Sequence, residues 1–260
     1  MKRRLLLASA AATVIGTPLQ DAVADELPDL IQRSKPSLVI VGTYGATDNP
    51  RFSFRGSGFV VGDGNHVVTS AHVLPEAQLT EGGRKLAVQT SAGGREWQLR
   101  ETELIAVDRL HDLALLRFDG AAVSALRLAG PSQVREGAEV ALMGFPIGGV
   151  LGFSQVTHRG IVSAITAITL PASSARGLNE LAVRQLRDGA FALLQLDAVA
   201  YPGNSGGPVI DVRTGLVVGV VSMVIAKGSR EAALSQPSGI SYAIPVDFVH
   251  RLLPMSAARP

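Results

Sequence analysis

The chain has no cysteine among its 260 residues. That excludes disulfides, thiolate zinc sites and a cysteine nucleophile together. Charge is sparse as well: Asp, Glu, Lys and Arg make up 18% of the sequence against 47% apolar residues, a balance that buries a core and excludes a disordered chain. The formal excess of +2 is carried by the first residues, where Lys2, Arg3 and Arg4 outweigh Asp21. Beyond residue 24 the chain is close to neutral, so there is no electrostatic footprint for nucleic acid or for a membrane surface. Low-complexity tracts and solenoid-period repeats are also missing. No motif calls for a metal or an organic cofactor, and none is expected.

Residues 1–24 read as an export signal. Lys2 to Arg4 supply a basic start, and Leu5 to Ile15 an apolar run too short to cross a bilayer as a helix. Ala22-Val23-Ala24 is a small-x-small cleavage site before Asp25. The expectation is a periplasmic or secreted protein with no stable membrane anchor once the signal is removed. The Arg3-Arg4 pair permits a twin-arginine route beside the general one.

What is abundant is the vocabulary of strands and turns, with 28 Gly and 14 Pro punctuating short apolar runs. After a polar lead-in with one helical turn around Leu27 to Arg33, runs recur at Leu38–Thr43, Phe54–Val61, His66–Ser70, Lys85–Thr90, Glu96–Val107 and Leu113–Phe118. Residues 120–137 form a connector marked by Gly120, Gly130, Pro131 and Gly137. A second series follows at Ala138–Met143, Val156–Ala164, Phe191–Leu196, Gly207–Val212, Leu216–Val224 and Gly239–Ile244. Pro245 then opens a helix over about 246–253, with Val246, Val249, Leu252 and Leu253 on one face. The pattern is all-β, a barrel or sandwich class. Residues 165–190 break it: they carry no clear alternation, and Leu178 to Arg187 reads as a short amphipathic helix.

Three short blocks carry chemistry: Thr69-Ser70-Ala71-His72, His111-Asp112-Leu113-Ala114-Leu115-Leu116 and Gly203-Asn204-Ser205-Gly206-Gly207-Pro208. A serine hydroxyl is a poor nucleophile until a base takes its proton and a third group orients that base. His72 suits the base, since imidazole titrates near neutral pH, and Asp112 suits the orienter. The Gly203 and Ser205 backbone N–H groups suit an oxyanion hole. His66, His111, His158 and His250 lack the context of His72 and read as surface or structural residues. Asp108 reads as a solvated turn residue and Asp119, before Gly120, as a turn, whereas Asp112 opens an apolar run. Ser57, between Gly56 and Gly58, leads directly into a strand and reads as structural.

Together these blocks resemble the signature of the trypsin-like serine peptidases. Arg33-Ser34-Lys35-Pro36-Ser37-Leu38-Val39, Gly56-Ser57-Gly58-Phe59-Val60, Gly160-Ile161-Val162-Ser163-Ala164 and Ser241-Tyr242-Ala243-Ile244-Pro245 are similar to the HtrA/Deg branch. The resemblance implies two six-stranded antiparallel β-barrels, at about 37–119 and 138–245 within a peptidase domain of 25–255. His72 and Asp112 then come from the first barrel and Ser205 from the second. It also implies polypeptide substrates, unfolded or damaged proteins among them, and the trimers common in that branch. Tyr44, Phe52 and Phe54 suit a trimer contact, although packing within the first barrel is the simpler expectation. By alignment with the family, Val199 lies near the base of the primary pocket, with Ser222, Met223 and Val224 along one side. Without an acid at Val199, small or medium aliphatic residues are expected before the scissile bond.

Two departures stand out. HtrA proteases usually carry a PDZ domain after the peptidase domain, and the sequence ends at Pro260, shortly after the last element. Residue 204 is Asn where peptidases activated by N-terminal cleavage have Asp, and no Ile-Val-Gly-Gly-like start follows residue 24. Control by the 165–190 loop over the turn at Gly203 is the expectation in its place. A non-catalytic chaperone and an esterase on the same scaffold are the alternative functions.

Overall fold

The computed structural model describes residues 26–75, 83–93, 96–147, 152–168, 191–222 and 239–253. Helix α1 (Glu26–Ser34) comes first, nine residues long rather than the single turn expected. Leu30 is fully buried while Pro28, Asp29, Gln32 and Arg33 face solvent. Pro36 disfavours continued α-helix at Lys35, and a 3-10 turn (Lys35–Ser37) leads into the first strand.

The first barrel holds β1 (Leu38–Tyr44), β2 (Phe52–Val61), β3 (His66–Ser70), β4 (Lys85–Gly93), β5 (Glu96–Asp108) and β6 (Leu113–Phe118), closed in the order β1-β2-β3-β6-β5-β4. The second holds β7 (Glu139–Gly144), β8 (Val156–Ile168), β9 (Phe191–Asp197), β10 (Pro208–Asp211), β11 (Val217–Val221) and β12 (Ile240–Pro245), closed in the order β10-β11-β12-β9-β8-β7. Helix α2 (Val246–Leu252) follows. The all-β class and the paired six-stranded antiparallel barrels are thus as expected, and closure leaves neither sheet an edge to protect. Among the described residues no helix is long and apolar enough to cross a membrane.

Continuous apolar runs such as Leu38-Val39-Ile40-Val41 arise because both faces of these strands are covered. Val39, Val41, Val60, Val67, Ala114, Leu116 and Phe118 form one buried cluster within the first barrel. Their neighbours Leu38, Ile40, Phe59, Val68, Leu113 and Leu115 join a larger cluster with Leu142, Val209, Val220, Val249 and the rest of the second barrel. Successive side chains point to opposite faces, so one strand serves the barrel and the seam between barrels at once. The connector follows the seam: Leu126 N–H donates to Val60 O and Ala129 N–H to Val217 O, both at 2.8 Å.

Strand β8 runs to Ile168, into the stretch that reads as patternless. Its outward side chains Ile161 and Ile165 are exposed though apolar, and a register shift falls between Val162 and Ala164; both erase the alternation that marks a strand. The remainder of 165–190, including the helix expected over Leu178 to Arg187, lies outside the described residues, as does the export signal. Phe52 and Phe54 do not pack only within the first barrel: both rings meet Phe153, ahead of β8, at 6.4 and 5.8 Å.

Candidate active site

His72 sits in the 3-10 turn Ala71–Val73 that ends β3. Pairing of Ser70 with Leu113 brings the end of β3 beside the start of β6. There Asp112 adopts φ +54°, a left-handed conformation that Asp tolerates better than most residues. Three hydrogen bonds then join the two segments. Ala71 N–H donates to Asp112 O at 3.0 Å, His72 N–H to Asp112 Oδ1 at 2.9 Å, and His72 Nδ1 lies 2.8 Å from Asp112 Oδ2. An ionised carboxylate only accepts, so Nδ1 carries the hydrogen and Nε2 presents a lone pair.

The turn that presents Asp112 is anchored from the other side. Asp108 Oδ1 accepts the Leu110 and His111 N–H groups, and Asp108 Oδ2 holds His111 Nδ1 at 2.5 Å. The His111 ring stacks on Phe248 of α2 at 3.8 Å and meets Phe191 edge-on at 4.7 Å. Asp108 is therefore a turn residue with a partner rather than a solvated one. The Asp119 side chain, by contrast, is 90% exposed.

Ser205 lies in the second of two consecutive hydrogen-bonded turns that share Asn204. Asn204 N–H donates to Tyr201 O and Gly207 N–H to Asn204 O, each at 2.9 Å. Pro202 followed by Gly203 at φ +104° is the residue pair a type II turn prefers. A Cβ at 203 would meet Phe145 O at 2.4 Å, so the position demands glycine on two counts. Among the described residues the Gly203 and Ser205 N–H groups donate to nothing.

The two halves meet at Val221 and Ser222. Val221 O accepts from Ser70 Oγ at 3.0 Å and from Gly206 N–H at 2.9 Å, tying the histidine turn and the serine turn to one carbonyl. Ser222 Oγ donates to Asp112 Oδ2 at 2.7 Å. Ser57 N–H donates to Ser205 O at 2.9 Å from the first barrel. Neither Ser205 Oγ nor His72 Nε2 has a hydrogen bond among the described residues, as is common in a serine-histidine pair without substrate.

Several roles escape the sequence reading. Ser222, expected along a pocket wall, also turns its hydroxyl onto Asp112. Ser57 and Ser70, each fully buried, brace the serine turn. Val199 is half-buried between Ala198 and Ala200, and Met223 and Val224 lie outside the described residues. Asn204 is fully buried, and neither carboxamide atom has a partner among the described residues. A charge there would need a counter-ion, whereas a neutral amide does not. The His158 ring lies 5.6 Å from Tyr201, and burial pulls its pKa below the ordinary histidine value. Among the described residues no cluster of His, Asp and Glu side chains is arranged to hold a metal ion.

A family model for the trypsin-like peptidase domain matches residues 56–220, a span that includes His72, Asp112 and Ser205. The chain belongs to the trypsin-like peptidase family. Within that family it is similar to the mitochondrial serine protease HTRA2 of Drosophila grimshawi, 31% identical over 81% of this chain and 41% of the relative. A probable periplasmic serine endoprotease, DegP-like, of Halomonas elongata is 30% identical over 74% of this chain and 33% of its own length. The Do-like serine protease HtrB of Bacillus subtilis is 28% identical over 88% of this chain and 47% of its own. The chain thus spans less than half the length of these HtrA-type relatives.

Proposed function

We propose that this trypsin-like chain is a serine endopeptidase that cleaves polypeptides through an acyl-enzyme on Ser205. Ser205 Oγ attacks the scissile carbonyl carbon while its proton passes to His72 Nε2. Asp112, held by Ser222, keeps the imidazole in the tautomer whose Nε2 is free and stabilises the imidazolium that forms. The Gly203 and Ser205 N–H groups receive the oxyanion. His72 then returns its proton to the amine nitrogen as the C–N bond breaks. A water repeats the sequence on the ester: its proton goes to His72, its oxygen to the acyl carbon, and Ser205 recovers its hydrogen as the acid leaves.

The observation that carries this reading is the chain from Ser222 Oγ through Asp112 Oδ2 to His72 Nδ1, at 2.7 and 2.8 Å, tied through Val221 O to a serine turn whose Gly203 and Ser205 N–H groups are unused among the described residues. A binding protein has no need of an imidazole held in one orientation by a carboxylate.

Export to the periplasm or beyond, unfolded proteins as substrates and aliphatic residues before the scissile bond complete the proposal. The residues that support it are those of the leader and Val199, together with the similarity to a DegP-like periplasmic endoprotease. The test is labelling by a fluorophosphonate, with digestion of casein in parallel. Labelling and digestion that both vanish in Ser205→Ala are expected. Labelling without digestion favours an esterase, and absence of labelling in the wild type overturns the reading.

A further inference from the structure

Ser57 stands out among the buried polar residues, because each of its polar atoms engages the serine turn or the frame around it. Its side chain is fully buried. Its Oγ donates to Gly203 O at 2.6 Å and accepts Phe145 N–H at 2.9 Å. Its N–H donates to Ser205 O at 2.9 Å, and its carbonyl accepts Thr69 Oγ1 at 2.7 Å, three residues before His72. A serine required only to fill a strand interior has no reason to bridge two loops of the other barrel.

The geometry matters because two peptide planes flank Gly203. The first joins Pro202 to Gly203 and carries the Gly203 N–H. Its carbonyl, Pro202 O, accepts Ile147 N–H at 2.7 Å. In a planar trans peptide the N–H points opposite the C=O, so the Gly203 N–H is aimed away from residues 145–147. A type I turn over the same four residues differs from type II chiefly by a flip of this plane, which reverses that N–H. The second plane joins Gly203 to Asn204, and Ser57 Oγ holds its carbonyl. By accepting Phe145 N–H, the same hydroxyl also fixes the segment that presents Ile147, itself at φ +53°, a conformation costly for a β-branched residue. One hydroxyl therefore restrains one plane directly and the other through Phe145–Ile147.

We propose that Ser57 is a positioning residue for the oxyanion hole: bridging Gly203 O and Phe145 N, it holds the turn with the Gly203 N–H presented, without an ion pair at residue 204. The inference rests on the endopeptidase reading. Ser57 does not touch the substrate; it acts through Gly203.

The test compares wild type, Ser57→Ala and Ser57→Thr, the last retaining a hydroxyl. Val39→Ala, a core change in the first barrel, serves as a control for general destabilisation. Each is assayed on a fluorogenic peptide with an aliphatic residue before the scissile bond. Each is also titrated with a peptide boronate, whose tetrahedral adduct fills the oxyanion hole, and with the product peptide, which does not. Ser57→Ala is expected to lower kcat by about 10- to 100-fold, less than the ~10²–10³ that follows loss of an oxyanion donor itself. KM and product affinity are expected to stay within about twofold, boronate affinity to fall in parallel with kcat, and Ser57→Thr to recover most of kcat. Unchanged kcat in Ser57→Ala, or kcat and product affinity falling together as in Val39→Ala, overturns the inference and leaves the endopeptidase reading intact. A wild type that neither hydrolyses the peptide nor binds the boronate overturns both.

Discussion

Ser222 Oγ donates to Asp112 Oδ2 at 2.7 Å, across 110 positions of sequence and from the second barrel to the first. The carboxylate that orients His72 thus has partners on both sides of the seam, with His72 itself contributing two N–H groups from the first barrel. Deformation of the seam is therefore felt by the imidazole. Ser222→Ala is expected to lower kcat/KM about tenfold, the value of one hydrogen bond to a charged group. Asp112→Asn is expected to cost about 10⁴ in kcat by presenting the wrong tautomer. Steady-state kinetics of both variants check this, and an unchanged kcat/KM in Ser222→Ala would separate Ser222 from the orienting role.

Gly203→Ala places a methyl 2.4 Å from Phe145 O in a conformation unfavourable to alanine. The turn must reorganise, and the N–H at 203 moves with it. Turnover is expected to fall by at least about 10² with the fold retained. Circular dichroism beside the rate of fluorophosphonate labelling measures both parts.

His111 ties the Asp112 turn to α2 and β9 through its stack on Phe248, its edge contact with Phe191 and its bond to Asp108. His111→Ala loses all three, and a loss of about 2–4 kcal/mol of stability is expected. His111→Phe keeps the ring and is expected to recover about half. Urea unfolding gives both numbers, and an alanine variant as stable as wild type would contradict the anchoring role.

His158 provides a pH-dependent effect with a definite sign. Burial disfavours its charged form, so its folded pKa lies below the unfolded value. The unfolded chain then binds more protons than the folded one between those two values. Stability is accordingly full above about pH 6.5 and declines as pH falls through the lowered folded value. His158→Gln is expected to flatten that part of the profile. Thermal midpoints at pH 7.5 and 5.5 for both proteins provide the check; parallel shifts would exclude His158 as the source.

The branched and aromatic runs at Leu38–Val41, Phe59–Val61 and Leu113–Phe118 were readable as strands because strand preference and burial act on the same side chains. The three chemical blocks were readable for a related reason. Each fills a short local frame: a strand end followed by a histidine, an aspartate before an apolar run, and a glycine-rich turn around a serine. The course of β8 beyond Ala164 was not readable, since exposed Ile161 and Ile165 remove the polar half of its alternation.

Residue type and local spacing by themselves determined the strand-rich class and which histidine, aspartate and serine are the candidates. Tertiary structure alone decided that the Ser222 hydroxyl reaches Asp112, that Asp108 and His111 brace the aspartate turn, and that Ser57 reaches Gly203 across 146 positions. The physical reason is range. Strand and turn preferences act over a few neighbouring residues, whereas a buried hydroxyl must bond to whatever polar group closure of the barrels brings beside it.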